Sequence, residues 1–288
     1  MTVVLAPEKL AAWRRETYNL APERWLRSPE QAAAFVNQRG FVFFWPIKNT
    51  VLPSLWNATV GDRGVPNNHD DPGHVTWGWK DGMLGKRVWY YGRCIHKRNA
   101  MIALDVLPAF YALSPNYGAP QLDFLDQYHQ GLLSPEAKNI YALLLELGPL
   151  DTLTLRREAG LSSSSSTSRF NRALDTLQME FKIMPVGISD SGRWHYSFVY
   201  DIVPRHLPAV LDEARHITEQ QARQKILELY LQSVGAIELK QAARLFGWNP
   251  TVCQKKAQEL VEQGLCVEDV QIEGKDEKLI ASVTFVQG

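Results

Sequence analysis

The chain of 288 residues has little cysteine, no long apolar run and no net charge. Its three cysteines, Cys94, Cys253 and Cys266, are scattered and match no disulfide or metal-ligand spacing. That excludes a disulfide-stapled secreted scaffold and fits a reducing cytoplasm. No stretch approaches the roughly 18 apolar residues of a membrane-spanning helix, and no signal peptide opens the chain. Lys plus Arg and Asp plus Glu each number 31, giving a formal net charge of +0. A protein wrapped in nucleic acid along its whole length is more basic than this. The serine run Ser162–Ser166 lacks the glycines that let a backbone approach phosphate, so it reads as a turn and a supply of helix caps. The expectation is a cytoplasmic, monomeric protein with no cofactor and no metal. Its length suits two or three domains of about a hundred residues.

What is present is a repeat. From Ile140 the sequence runs IYALLLELG-PLDTLTLRREAG-LS, and from Ile226 it runs ILELYLQSVG-AIELKQAARLFG-WN. In each copy an apolar helix closes on a glycine (Gly148, Gly235), and a second glycine follows twelve residues later (Gly160, Gly247). A further amphipathic helix comes next, predicted over 166–180 in one copy and 250–263 in the other. Phe170, Ala173, Leu174, Leu177 and Phe181 recur at helical spacing, as do Val252, Ala257, Leu260 and Val261. Asn249-Pro250 is a helix start, because Asn caps and Pro is tolerated at the first helical position. Each copy ends in two β-rich runs around a polar turn, giving wings predicted at 181–202 and 265–286, with Trp194, Tyr196, Phe198 and Tyr200 alternating on one strand face. Helix, helix–turn–helix and hairpin is the winged-helix order, which commonly sets its third helix in a DNA groove. A repeat of about seventy residues is too long for a solenoid and indicates tandem small domains.

The first third differs in composition. It holds Trp13, Trp25, Trp45, Trp56, Trp77, Trp79 and Trp89, out of nine tryptophans in all. Residues 1–113 carry 14 basic and 9 acidic side chains, whereas 114–216 carry 9 and 12, and 217–288 carry 8 and 10. The electrostatic footprint for a polyanion is therefore expected in the first third. Helices are predicted over 7–18 and 29–38, then an apolar strand, a short helix near 54–60 and a long polar segment. Two β-rich runs around His96-Lys97-Arg98 complete a first, modified winged-helix unit with an insertion. The fold class is mainly α with small β wings (α+β), as tandem winged-helix domains: 1–113, a connector helix in 114–133, 134–203, a linker at 204–216, and 217–288.

The chemical candidates follow from residue type. His69-Asp70-Asp71-Pro72-Gly73-His74 places carboxylates next to Trp77, Trp79, Lys80 and Asp81. Acids among aromatic rings suit a pocket that stacks a base and polarises water. Asp70 and Asp71 are the candidate catalytic acids, and Trp77 and Trp79 the candidate base-stacking residues. The same Asp-Pro-Gly run is also an ordinary turn, and its His/Asp spacing matches none of the usual metal patterns. Trp45, Trp56 and Trp89 sit in apolar runs and read as core. Candidate DNA-binding residues are Lys48, Lys80, Arg87, Arg93, His96, Lys97 and Arg98, together with Arg169 and Arg172, which lie off the apolar stripe of their helix. Gln254, Lys255 and Gln258 occupy comparable places on the last helix and read as solvated.

These repeats, the third helix RFNRALDTLQ and the block HDDPGHVTWGWKD…RVWYYGRC…LDVLPAFYALSPNYG resemble the winged-helix superfamily of the AlkZ/YcaQ DNA glycosylases, and more narrowly its AlkZ-related branch. The resemblance covers nearly the whole chain. It implies three tandem winged helices forming a concave scaffold for double-stranded DNA, and excision of alkylated or crosslinked bases by N-glycosidic hydrolysis. It also implies a Gln-apolar-Gln or Gln-apolar-Asp signature in the first unit. Around that place this chain reads Phe44-Trp45-Pro46-Ile47-Lys48-Asn49, so the family's catalytic residues do not carry over. Two functions stay open: a DNA-repair or damage-recognition protein, with or without excision, and a non-catalytic winged-helix interaction or regulatory module.

Overall fold

The computed structural model describes residues 2–68, 70–192 and 194–288. Its elements form an α+β architecture in which three helical groups each carry a small sheet. The chain opens with β1 (Val3–Leu5) and α1 (Pro7–Thr17), then α2 (Pro29–Arg39), β2 (Phe41–Phe43), α3 (Leu55–Val60), α4 (Val75–Met83), β3 (Trp89–Ile95), β4 (Arg98–Ala103) and α5 (Leu107–Ala112). Ser28 and Ser54 cap α2 and α3 by accepting backbone N–H bonds from Gln31 and Asn57. Strands β2, β4 and β3 pair antiparallel in that order.

The middle group comprises α6 (Asp123–His129), α7 (Pro135–Leu147), β5 (Leu150–Asp151), α8 (Thr152–Glu158), α9 (Thr167–Met179), β6 (Ile183–Ser189) and β7 (Ser197–Ile202), with sheet order β5-β7-β6. Two short helices follow, α10 (Val203–His206) and α11 (Pro208–Ala214). The last group is α12 (Glu219–Val234), β8 (Ala236–Ile237), α13 (Leu239–Phe246), α14 (Pro250–Glu262), β9 (Cys266–Ile272), β10 (Leu279–Ser282) and α15 (Val283–Gln287). The paired glycines of the repeat are helix ends: Gly148 closes α7 at φ +85° and Gly235 closes α12 at φ +79°, a region a side chain disfavours. Thr218 and Gln221 start α12 with a reciprocal capping box.

Four features differ from the sequence expectation. Residues 204–216 are helical and packed rather than a linker, because Val210, Leu211 and Ala214 are apolar at helical spacing and all buried. The last predicted strand stops at Ser282, which caps α15 through the Phe285 N–H. The polar segment before β3 contains α4. Finally, the chain start does not belong to the first group alone. β1 runs parallel to β9, extending the last sheet to β1-β9-β10-β8. Arg14 of α1 donates to the carbonyls of Val234 and Ala236, and Trp13 donates to that of Gln232 while packing edge-on against Phe285 at 5.6 Å.

The largest core joins first and last groups. Phe41, Phe43, Tyr90, Met101 and Ile102 share one apolar cluster with Ile226, Leu227, Tyr230, Leu245 and Leu260. The middle group has its own core around Ile140, Tyr141, Leu144, Phe170, Leu174 and Leu177. It leans on the first group through Tyr90, whose hydroxyl donates toward the carbonyls of Gln178 (3.0 Å) and Ile183 (3.2 Å).

Candidate nucleic-acid interface

The site is built on the β3–β4 hairpin. His96 and Lys97 form its two-residue turn and both have positive φ, +50° and +57°. Two left-handed residues in succession are what a type I′ turn requires. Asn and Gly usually supply them, so placing His and Lys there costs on the order of 1 kcal/mol or more each. The surroundings hold this conformation in place. Arg93 donates through its guanidinium to Asp175 of α9 at 2.8 Å and through its backbone N–H to the Gln178 side chain at 3.2 Å. Gln178 donates back to the Leu174 carbonyl, so both ends of its amide are used.

Beneath the turn lies a cleft of about 780 Å³ whose walls come from all three groups. Its cations are Arg93, Lys97 and Arg98 on the hairpin, beside His96, and Arg223 and Arg244 on α12 and α13; among the described residues no Asp or Glu lines it. The far wall carries Trp248, stacked on Phe246 with ring centroids 4.7 Å apart and topped by the Arg223 guanidinium at 5.0 Å. Arg223 also pairs with Glu219. Among the described residues, Lys97, Arg98 and Arg244 have no carboxylate partner within ion-pair distance. A second hollow of about 330 Å³ lies across the hairpin, lined by Trp45, Ile47, Tyr91, Asn99, Gln178, Phe198 and Tyr200, and it shares Arg93, Lys97 and Arg98 with the cleft.

The remaining sequence candidates are dispersed. Lys48 is exposed next to Asn49, which shares a small hollow with His96 and Arg244. Arg87 precedes the opposite end of β3 and lines a hollow with Asn37 and Asp105. At about 3.3 Å per strand residue it is some 20 Å or more from the turn, so it does not join that cluster. Arg169 is exposed and paired with Glu136 at 3.1 Å; Arg172 lines a separate groove with Tyr128, His129 and Thr176.

The HDDPGH run is largely turn chemistry. Asp71 accepts two bonds from the Arg63 guanidinium, at 2.9 and 2.6 Å, and a third from the Gly73 N–H at 2.8 Å. The Arg63 hydrogen bond, above all, holds its carboxyl below the usual aspartate range. Asp70 is exposed, its N–H donating to the Asn68 side chain in an Asx turn. Neither acid lines the cleft or the hollow. His69 lies outside the described residues. Among those described, no cluster of three His, Cys, Asp or Glu could hold a metal, and no helix is long and apolar enough to cross a membrane.

Two expectations are corrected by α4. On a helix, residues two apart lie about 200° apart around the axis. Trp77 accordingly faces out at 37% exposure, 5.9 Å from the Trp45 ring, whereas Trp79 is buried at 9% and packs in the core rather than stacking a base. Lys80, expected on a phosphate, is 4% exposed. Its ammonium pairs with Asp81 at 2.5 Å, donates to the Tyr196 hydroxyl at 2.9 Å, and sits 4.6 Å from the centre of the Phe198 ring and 5.3 Å from that of Tyr91. Burial lowers its pKa from the usual lysine value, with Asp81 opposing the shift. Lys80 ties α4 to β7 across the first and middle groups. Trp56 and Trp89 are buried as expected, while Trp45 is half-buried. Sequence reasoning missed Arg223, Arg244 and Trp248, which no motif marks; the one local signal was Phe246-Gly247-Trp248 at the second glycine of the repeat.

A profile of the AlkZ-related family matches residues 26–247, a span that includes the hairpin, α9 and α13. The chain belongs to the AlkZ-related family. Its fold is similar to that of the Streptomyces sahachiroi DNA glycosylase AlkZ, at TM-score 0.60 and 12% identity, over 99% of this chain and 72% of that one. No curated protein matches the sequence. In this family member, the stretch 44–49 contributes Trp45 and Ile47 to the aromatic hollow.

Proposed function

We propose that this chain is a double-stranded-DNA-binding protein of DNA repair or damage recognition, built as three winged-helix units. Each group has the helix–helix–hairpin order of that motif, with β3–β4, β6–β7 and β9–β10 as the wings. The carrying observation is the cleft in which five Lys and Arg side chains meet without a carboxylate among the described lining residues. Acid and base balance over the whole chain, so this segregation of charge is a local feature. A positive concavity of this kind attracts phosphate and releases condensed counterions on binding. Family membership and the fold likeness to a DNA glycosylase support the same partner.

The observations favour recognition over hydrolysis. Cleaving an N-glycosidic bond needs a positioned acid, base or amide beside the sugar. Asp71 is engaged by Arg63 and Gly73, Asp70 sits on an exposed turn, and the Gln178 amide is used at both ends. The test is a charge reversal, Lys97→Glu with Arg98→Glu, in a fluorescence-anisotropy titration of duplex DNA. Duplex affinity should fall and its salt dependence should flatten by about 0.9 logarithmic units per lost phosphate contact. Unchanged affinity would move the contact away from the hairpin, to the α9 arginines or to a protein partner.

A further inference from the structure

We propose that the cleft and the aromatic hollow form one track for an unpaired DNA strand, so that the preferred ligand is a duplex carrying a single-stranded tail or branch. This rests on the DNA reading above and narrows it. Size is the first argument. A space of about 780 Å³ is of the order of a small-ligand site and too small to take in a turn of duplex. The double helix therefore stays outside, and only a piece of one strand enters. Volumes of 300–1,000 Å³ are those of small-ligand sites, and the hollow alone, at about 330 Å³, is of that order.

Continuity is the second argument. Arg93, Lys97 and Arg98 line both spaces, so a backbone crossing the hairpin keeps its phosphates on cations as it passes from one to the other. The third is surface chemistry. Trp248 stands half-buried in the cleft and Trp45 half-buried in the hollow, each backed by a second aromatic ring (Phe246 at 4.7 Å, Phe44 at 5.2 Å). A cationic groove with aromatic platforms is how single strands are held without reading sequence, because every base has a π face. The hairpin between them is braced by the Arg93–Asp175 pair and the Tyr90 bonds to α9 and β6, so it is set before the strand arrives; a base stacking on Trp248 takes the place of the Arg223 guanidinium that lies over that ring at 5.0 Å.

The experiment compares short fluorescein-labelled duplexes that are blunt or carry an oligothymidylate tail of about six nucleotides, a length within the site sizes of single-strand grooves. The tail should tighten binding at least about fivefold, the equivalent of one stacked base. Trp248→Ala and Trp45→Ala should each bring the ratio of tailed to blunt affinity toward one. A readout independent of any variant uses the wild-type protein with 2-aminopurine at the first and second tail positions; its emission should be quenched on binding as the base stacks. Equal affinity for blunt and tailed DNA, or 2-aminopurine emission unchanged on binding, overturns the track while leaving duplex recognition standing. Failure to bind any of these DNAs overturns both.

Discussion

Replacing Lys80 by Met separates a structural cation from a phosphate-binding one. Lys80→Met keeps the length and apolar stem of the side chain but removes the charge, leaving Asp81 without its 2.5 Å partner although its side chain is only 15% exposed. Breaking one side of a buried ion pair costs about 3–5 kcal/mol. The partial exposure of Asp81 argues for the lower end, on the order of 3 kcal/mol, with the contacts to Phe198 and Tyr91 adding to it. For a chain of this size each kcal/mol shifts Tm by about 2–4 °C, so thermal unfolding followed by circular dichroism should show a drop of about 6–12 °C. Adding Asp81→Asn removes the stranded charge and should recover part of that loss. Duplex affinity of the folded variant should stay within about twofold of wild type. A Tm unchanged within error, together with weakened DNA binding, would return Lys80 to the phosphate role that the sequence suggested and refute the buried-tether reading.

Three further outcomes are expected. A Cβ built on Gly73 would lie 2.5 Å from the Trp56 ring, so Gly73→Ala should destabilise by about 1–3 kcal/mol in denaturant unfolding; no loss would mean that the ring moves freely. Burial, reinforced by Arg87 and opposed by Asp201, depresses the pKa of His206. The unfolded chain therefore binds the proton first as pH falls below about 6.5, and stability should decline over that interval and level off below the folded pKa. His206→Gln should remove that slope, and an unchanged pH profile would deny it to His206. On the recognition reading proposed above, duplexes bearing a bulky alkylated purine should survive alkali after incubation with the wild-type protein; strand breaks that vanish with Asp70→Asn would restore the enzymatic reading.

Much of the scaffold was legible because its signals are local. The stripe of Phe170, Ala173, Leu174 and Leu177 predicts α9 to within a residue at each end, and Asn249-Pro250 marks the start of α14. What escaped depends on contacts between distant segments. Nothing in Val3–Leu5 indicates a parallel pairing with β9, more than two hundred and sixty residues away. Helix α4 carries Gly78 and Gly82, which weaken a helical reading, so Trp77 and Trp79 looked like neighbours on one groove when they lie on opposite faces. Lys80 looked solvent-facing because its aromatic cage comes largely from β3 and β7. The cleft is the same case: the hairpin cations stand out in the sequence, but Arg223, Arg244 and Trp248 join them only when the last group docks on the first.

Wild-type binding to plain duplex DNA should weaken with added salt, read by anisotropy between about 50 and 200 mM. Three exposed cations of the cleft, Lys97, Arg98 and Arg244, have no carboxylate partner among the described residues. At about 0.9 per phosphate contact, the slope of log K against log salt should be about −2.7 if all three engage and about −1.8 if only the hairpin pair does. A slope near zero, or no binding at the lowest salt, would contradict the assignment of this face to DNA.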